Sequence, residues 1–369
     1  MSINEIMVHM NNFDPNKPYN ALPLLPPPIE LFETIGILKQ ENKSRSAIAE
    51  LKGIAKIIPN QSILINAIIL QEAHDSSEIE NIITTQDELY KALSGNQKIN
   101  SSSTKEVIHY REALYKGYKK IIERNIFTVN DIIDIQRSIL KNDAGLRKTP
   151  GTSLINDKTK ETVYTPPQSE DVLNNLLSNL VQYLNDEDDS LTKIAILHYQ
   201  FESIHPFYDG NGRTGRIINI LYLILKNYLD IPILYLSSYI IKNKSEYYRL
   251  LRAVTTNNNW EDWIIYILKG IEEVSKETIE KIIKIKDLLN STIEDIKSNL
   301  PKIYSKELVE ELFVHPYCKI DFFVNTLGIE RKAASRYLNQ LEEIGILKHY
   351  KIGREKIFIN IKLLELLKY

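Results

Sequence analysis

Residues 205 to 216 read His-Pro-Phe-Tyr-Asp-Gly-Asn-Gly-Arg-Thr-Gly-Arg, and no other stretch limits the fold so tightly. In front of it, Leu191, Ile194, Leu197 and Phe201 recur at the spacing of one buried helical stripe. Behind it, residues 217 to 225 are apolar nearly all round, which predicts a central buried helix. The stretch therefore reads as helix, short polar loop, helix. Gly210 and Gly212 let the loop turn and leave backbone N–H groups free at a helix N-terminus, where phosphate is favoured. Arg213 and Arg216, three apart, share one face of that helix's first turns. Two guanidiniums at the positive end of a helix dipole are unfavourable without an anion to share, so the run reads as a polyphosphate cradle. Asp209 is a hard oxygen ligand beside it, suited to Mg²⁺, which is usually held by one or two carboxylates plus substrate phosphates. His205 at the mouth is placed to take a proton from an attacking hydroxyl near neutral pH. A lone His or Arg is more often structural. His, Asp, Asn, Gly and two Arg within one short run favour a site. Residues 210–215 also match G-x-G-x-x-G, but the segment before them has a helical period instead of the strand a dinucleotide fold requires.

The run resembles the HPFx[DE]GNGRxxR signature of Fic-domain proteins, and every signature position is met. The resemblance implies an all-α fold: a Fic helical core with a short β-hairpin flap. It also implies Mg²⁺-dependent transfer of AMP from ATP to a Ser, Thr or Tyr hydroxyl of a target protein. In that reading His205 is the base, Asp209 holds the metal, Gly210, Asn211, Gly212, Arg213, Thr214 and Gly215 surround the phosphates, and Arg216 grips the γ-phosphate.

A second stretch gains meaning beside the first. By propensity alone, residues 76 to 81 form a capped helical turn, Ser or Asp first and acids after it. In a Fic-like chain, Ser76-x-x-x-Glu80-Asn81 resembles [ST]xxxE[GN], the family's inhibitory helix. That implies Glu80 pairs with Arg216 in cis and blocks the γ-phosphate. The same resemblance leaves open the removal of AMP from modified proteins, with Glu80 orienting a water.

The remaining chain is read around these two motifs. Its 369 residues allow two or three domains, and a net charge of −2 gives no global pull toward nucleic acid or membrane. One cysteine, Cys318, excludes an internal disulfide framework. The polar N-terminus is unlike a signal peptide and no long apolar run is present, so a cytoplasmic protein without a membrane span is expected. The expected domains are an N-terminal helical domain over 1–98, the Fic core over 99–271, a connecting helix over 272–299 and a winged helix-turn-helix over 300–369. Residues 1 to 28 read as an extended arm packed on its own domain, and 94 to 103 as a loop. A short hairpin is expected within 142–167, where the family places its flap and a target protein would dock near 160–166. By resemblance, Tyr239, Lys242, Asn243 and Tyr247 line the adenine side. Trp260 and Trp263 read as packing residues.

Arg331, Lys332 and Arg336 fall on the expected recognition helix, and Lys351, Arg354 and Lys356 on the wing. Residues 301–369 hold 12 Lys and Arg against 9 Asp and Glu, a balance of only +3, which leaves DNA and protein docking equally open. A DNA-binding regulator whose core senses nucleotide is the alternative from another class, and a homodimer is an expectation by family analogy.

Overall fold

A computed structural model describes residues 13–93, 101–156, 159–352 and 355–367. The N-terminal part holds α1 (Ile35–Ala55), α2 (Gln61–Ile79) and α3 (Gln86–Leu93). Then come α4 (Ser102–Arg124), α5 (Val129–Leu140), the hairpin β1 (Leu154–Ile155) and β2 (Thr162–Tyr164), α6 (Glu170–Asn185), α7 (Lys193–Ile204) and α8 (Asn211–Leu225). They are followed by α9 (Ser237–Lys242), α10 (Lys244–Asn257) and α11 (Trp260–Asn299). The last part is α12 (Lys306–Val314), β3 (Tyr317–Cys318), α13 (Ile320–Leu327), α14 (Arg331–Glu343), β4 (Lys348–Ile352), β5 (Glu355–Ile359) and α15 (Ile361–Leu367).

Local chemistry sets most of the helix ends. Thr34, Asn60, Ser101, Asn259 and Ser305 each accept a hydrogen bond from the first turn they precede, and Thr128 with Asp131 forms a capping box. Packing sets the rest. α7 and α8 are buried almost end to end and form the centre, with α4 and α5 against α8 and α6 against α7. α1 lies along α11, and α2 lies on α4 and α9. Trp263 is fully buried and donates its indole N–H to Ala195 O at 2.8 Å, while Trp260 packs edge-on against Tyr199. Both tryptophans are packing residues as expected. The described part of the N-terminal arm packs on the core through Tyr19, Leu22 and Leu25, and Gln200 donates to Pro23 O.

Three expectations change. Residues 76–81 do not start a helix; they end α2, with Glu80 as its C-cap and Asn81 at φ 62°. The acids that suggested a first turn lie in the last one, because the apolar run 63–70 drives the helix through them into the core. The connecting helix does not begin at residue 272, since α11 runs unbroken from Trp260. Gly270 inside it marks a close approach: a Cβ there would sit 2.7 Å from the Tyr239 ring. The 98/99 boundary lies outside the described residues, and α4 opens at Ser102. Finally, the C-terminal unit carries two elements the sequence reading did not supply, β3 and α15.

The C-terminal unit is a helix-turn-helix, α13 and α14, followed by a β4–β5 hairpin, with strand order β3-β5-β4. The turn passes through Gly328 at φ 62°. Its basic residues are partly engaged: Arg331 pairs with Asp321, Lys356 donates to Asn339 Oδ1 at 2.6 Å, and Arg336 stacks over Tyr337. Lys332 and Lys351 are exposed, and Arg354 lies outside the described residues. Among the described residues no helix is long and apolar enough to cross a membrane.

Candidate active site

The signature run sits between α7 and α8, as its sequence predicts. His205 caps α7 in the left-handed region at φ 47°, and its N–H donates to Phe201 O at 3.0 Å. Asn211 pins the loop from inside: its Oδ1 accepts Phe207 N–H at 2.9 Å and its Nδ2 donates to Phe207 O at 2.8 Å. Gly210 enters α8 at φ 80°, a conformation that favours glycine. The first bond of α8 runs from Thr214 N–H to Gly210 O at 2.9 Å, so the amides of Asn211, Gly212 and Arg213 have no helical partner.

Around this N-terminus the structure gathers the predicted side chains. Arg216 is 3% exposed; its Nη2 donates to Glu80 Oε1 at 2.8 Å and to Ser76 O at 2.9 Å, and its Nε to Ser76 Oγ at 2.7 Å. Glu80 closes over the first turn of α8 so tightly that a Cβ on Gly212 would lie 2.3 Å from its Oε1. Its side chain keeps 35% of its surface exposed, yet the carboxylate itself faces the guanidiniums. Burial alone would raise its pKa, but Arg216, helped by Arg213 and Lys244, outweighs that and holds it below the ordinary carboxylate value. The pair is therefore ionised at neutral pH, and it is lost only as pH falls through that lowered value. Asn81, beyond the cap, contributes a left-handed turn at φ 62°.

Arg213 is also buried, with Nη1 on Glu106 Oε2 at 2.8 Å and Nη2 3.7 Å from Asp209 Oδ1. Asp209 is open, its side chain 71% exposed, with Oδ1 accepting only the Gly210 N–H at 2.6 Å. Burial, and then the charge of Arg147, push the His205 imidazole down to about 4, so it is neutral at physiological pH. Its Nδ1 has no hydrogen-bond partner among the described residues. Thr214 and Gly215 lie one turn deeper and pack inward, Gly215 against Phe201 and Glu202.

The adenine-side residues do not converge in the same way. Tyr247 is buried with its hydroxyl 2.8 Å from His198 Nε2, and Tyr239 packs on Tyr266. Lys242 points outward to Glu277, and Asn243 Nδ2 donates back to Tyr239 O. The next residue, Lys244, is the one that reaches the site: its Nζ donates to Ile79 O, at the end of α2, at 2.6 Å. Glu106 and Arg147 were missed as well. Arg147 lies under the loop, donating to His205 O at 2.7 Å and Ile204 O at 3.1 Å, and its own N–H bonds Pro206 O. A single Arg in a Gly- and Pro-bounded segment was the available sign. Glu106 had none, because α4 brings it in from a distance. The hairpin pairs Leu154 with Tyr164 and Ile155 with Thr162 across an irregular register, and Tyr164 OH donates to Ser203 O near the loop.

Three family profiles match: Fic/DOC family N-terminal over residues 38–119, Fic/DOC family over 126–223, and the C-terminal domain of SoFic-like protein adenylyltransferase over 288–363. The chain is 30% identical over 158 residues to the protein adenylyltransferase fic-1 of Caenorhabditis briggsae, covering 41% of this chain and 28% of that protein. It is 27% identical over 183 residues to a probable protein adenylyltransferase of Aquifex aeolicus, covering 47% and 51%. The chain thus spans at most about half the length of these relatives. A Fic family protein of Desulfovibrio desulfuricans G20 has the same fold, with a TM-score of 0.57 at 18% identity over 89% of this chain and 96% of that one. Residues 134–508 of Fic-1 from C. elegans superpose with a TM-score of 0.52 at 21% identity, over 66% and 72%.

Proposed function

Because the chain belongs to the Fic/DOC family, with that family's N-terminal and core domains and a SoFic-like C-terminal domain, we propose that it is a protein adenylyltransferase held inactive in cis by Glu80. One observation carries this reading. An ionised carboxylate already sits in the cradle, over Gly212 and on Arg216, where the run of amides and guanidiniums calls for an anion. ATP and Glu80 then compete for one guanidinium, and a γ-phosphate beside the carboxylate is repelled.

With Glu80 displaced, the free amides of α8 and Arg213 receive the phosphates and Arg216 takes the γ-phosphate. The hydroxyl oxygen of a Ser, Thr or Tyr attacks the α-phosphorus, its proton passes to the neutral His205 imidazole, and the bond to the β-phosphate oxygen breaks to release pyrophosphate. The chain's contribution is chiefly positioning and charge stabilisation. An open carboxylate next to the phosphate site fits Mg²⁺, with Asp209 as its protein ligand; when bound, the ion would neutralise phosphate charge. A target segment extends the hairpin near residues 160–166, which leaves its hydroxyl close to His205.

The test is incubation of wild type, Glu80→Gly and Glu80→Gly/His205→Ala with α-labelled ATP and Mg²⁺, following label on the chain itself. We expect Glu80→Gly to label about tenfold or more above wild type, the scale of one lost charge-assisted contact, and the double variant to stay dark. Label that persists without His205 would sink its role as base. The ionised Glu80 also favours a second reading, in which it orients water for AMP removal. Adding wild type to labelled Glu80→Gly protein would then strip the label.

A further inference from the structure

A cavity of about 150 Å³ lies away from the signature loop, where α2, α3 and α4 meet the C-terminal unit. Its walls are aromatic. Tyr90 and Tyr317 stack with ring centroids 5.4 Å apart and planes 5° from parallel, and Phe313 and Phe322 complete the lining. Arg111 from α4 faces this space. Of its five N–H groups, one is satisfied, by Asn66 Oδ1 at 2.8 Å, and among the described residues no carboxylate pairs with it. A half-buried guanidinium with a single amide partner is costly unless an anion completes it. Glu112, whose charge Arg111 feels, makes its ion pair with Lys141 at 2.7 Å, and Asp87 accepts from the Tyr317 hydroxyl at the cavity wall. His315, whose ring lies 4.4 Å from Phe322, is held neutral by burial and by Arg111, and Glu311 behind it is held toward its protonated form by burial while accepting from Thr326.

We propose that this cavity binds a small aromatic carboxylate, with its ring among Tyr90, Tyr317 and Phe322 and its carboxylate on Arg111. The volume is that of a site for one six-membered ring. A planar guanidinium matches a carboxylate in two parallel hydrogen bonds, and a single positive charge balances a monoanion. A phosphate dianion would leave charge and acceptors unmet between apolar walls. The inference does not depend on the transfer chemistry.

The full chain is titrated with benzoate by calorimetry, against benzamide (the same shape without charge), acetate and inorganic phosphate. Saturable benzoate binding is expected, with benzamide about tenfold or more weaker and the two ring-free anions without effect. Arg111→Met should lose benzoate binding, Arg111→Lys should keep part of it, and ATP should leave it unchanged. No saturable benzoate binding, equal affinity for benzamide, full binding by Arg111→Met or displacement by ATP would each overturn the proposal. If Arg111→Met does not fold, the comparison of benzoate with benzamide on wild type still decides.

Discussion

At the residue scale, Gly212 leaves no room for a methyl group. A Cβ there would meet Glu80 Oε1 at 2.3 Å and Arg216 Nη1 at 3.0 Å. Gly212→Ala is therefore expected to push Glu80 aside and yet fail to activate, since the same methyl intrudes on the phosphates. Placed in the Glu80→Gly background, where the clash with the carboxylate is gone, it should still weaken ATP binding by about tenfold, measured by calorimetry; unchanged affinity would remove Gly212 from the cradle. His205, Asp209, Arg213 and Arg216 were legible in the sequence because the chain itself carries them side by side. Glu106 and Arg147 were not, since packing delivers each from a separate element and neither stands in a distinctive local pattern.

At the scale of elements, α7 presents His198 and Glu202 toward α8, both beside Gly215. Glu202 Oε1 has no hydrogen-bond partner among the described residues, and burial pushes its carboxyl up to about 7 despite the charge of Arg216. A carboxyl raised on folding costs stability once the unfolded chain ionises. From this group, stability is full below about 4.5, falls as pH rises, and levels off above about 7. Glu202→Gln should therefore gain on wild type by about 1 to 3 kcal/mol between pH 5 and pH 8 in denaturant melts. Glu72, also raised to about 7, is common to both proteins and cancels. A difference that does not vary with pH would show Glu202 ionised throughout. Periodicity made these helices legible and left their ends uncertain: the charged face of α11 gave no sign that it continues from Trp260, and the acids of α2 resembled a start.

At the scale of the molecule, the C-terminal unit is fastened to the helix that carries Glu80. Asn60 donates to Glu310 Oε2 at 3.1 Å, Asn66 to Val314 O at 3.4 Å and Gln71 to Leu367 O, while α11 runs beneath both parts. A shared helix and shared partners predict one cooperative unfolding transition in calorimetry, with the calorimetric and van't Hoff enthalpies equal; two resolved transitions would show the parts to be independent. None of these links was legible, because each joins residues far apart in sequence. α2 is thus tied down at both ends, to the C-terminal unit from Asn60 to Gln71 and to Arg216 beside Glu80, with α4 and α9 packed along it between. A chain shortened after Asn299 loses the first tie, so its resting activity would overstate how readily the intact molecule lets go.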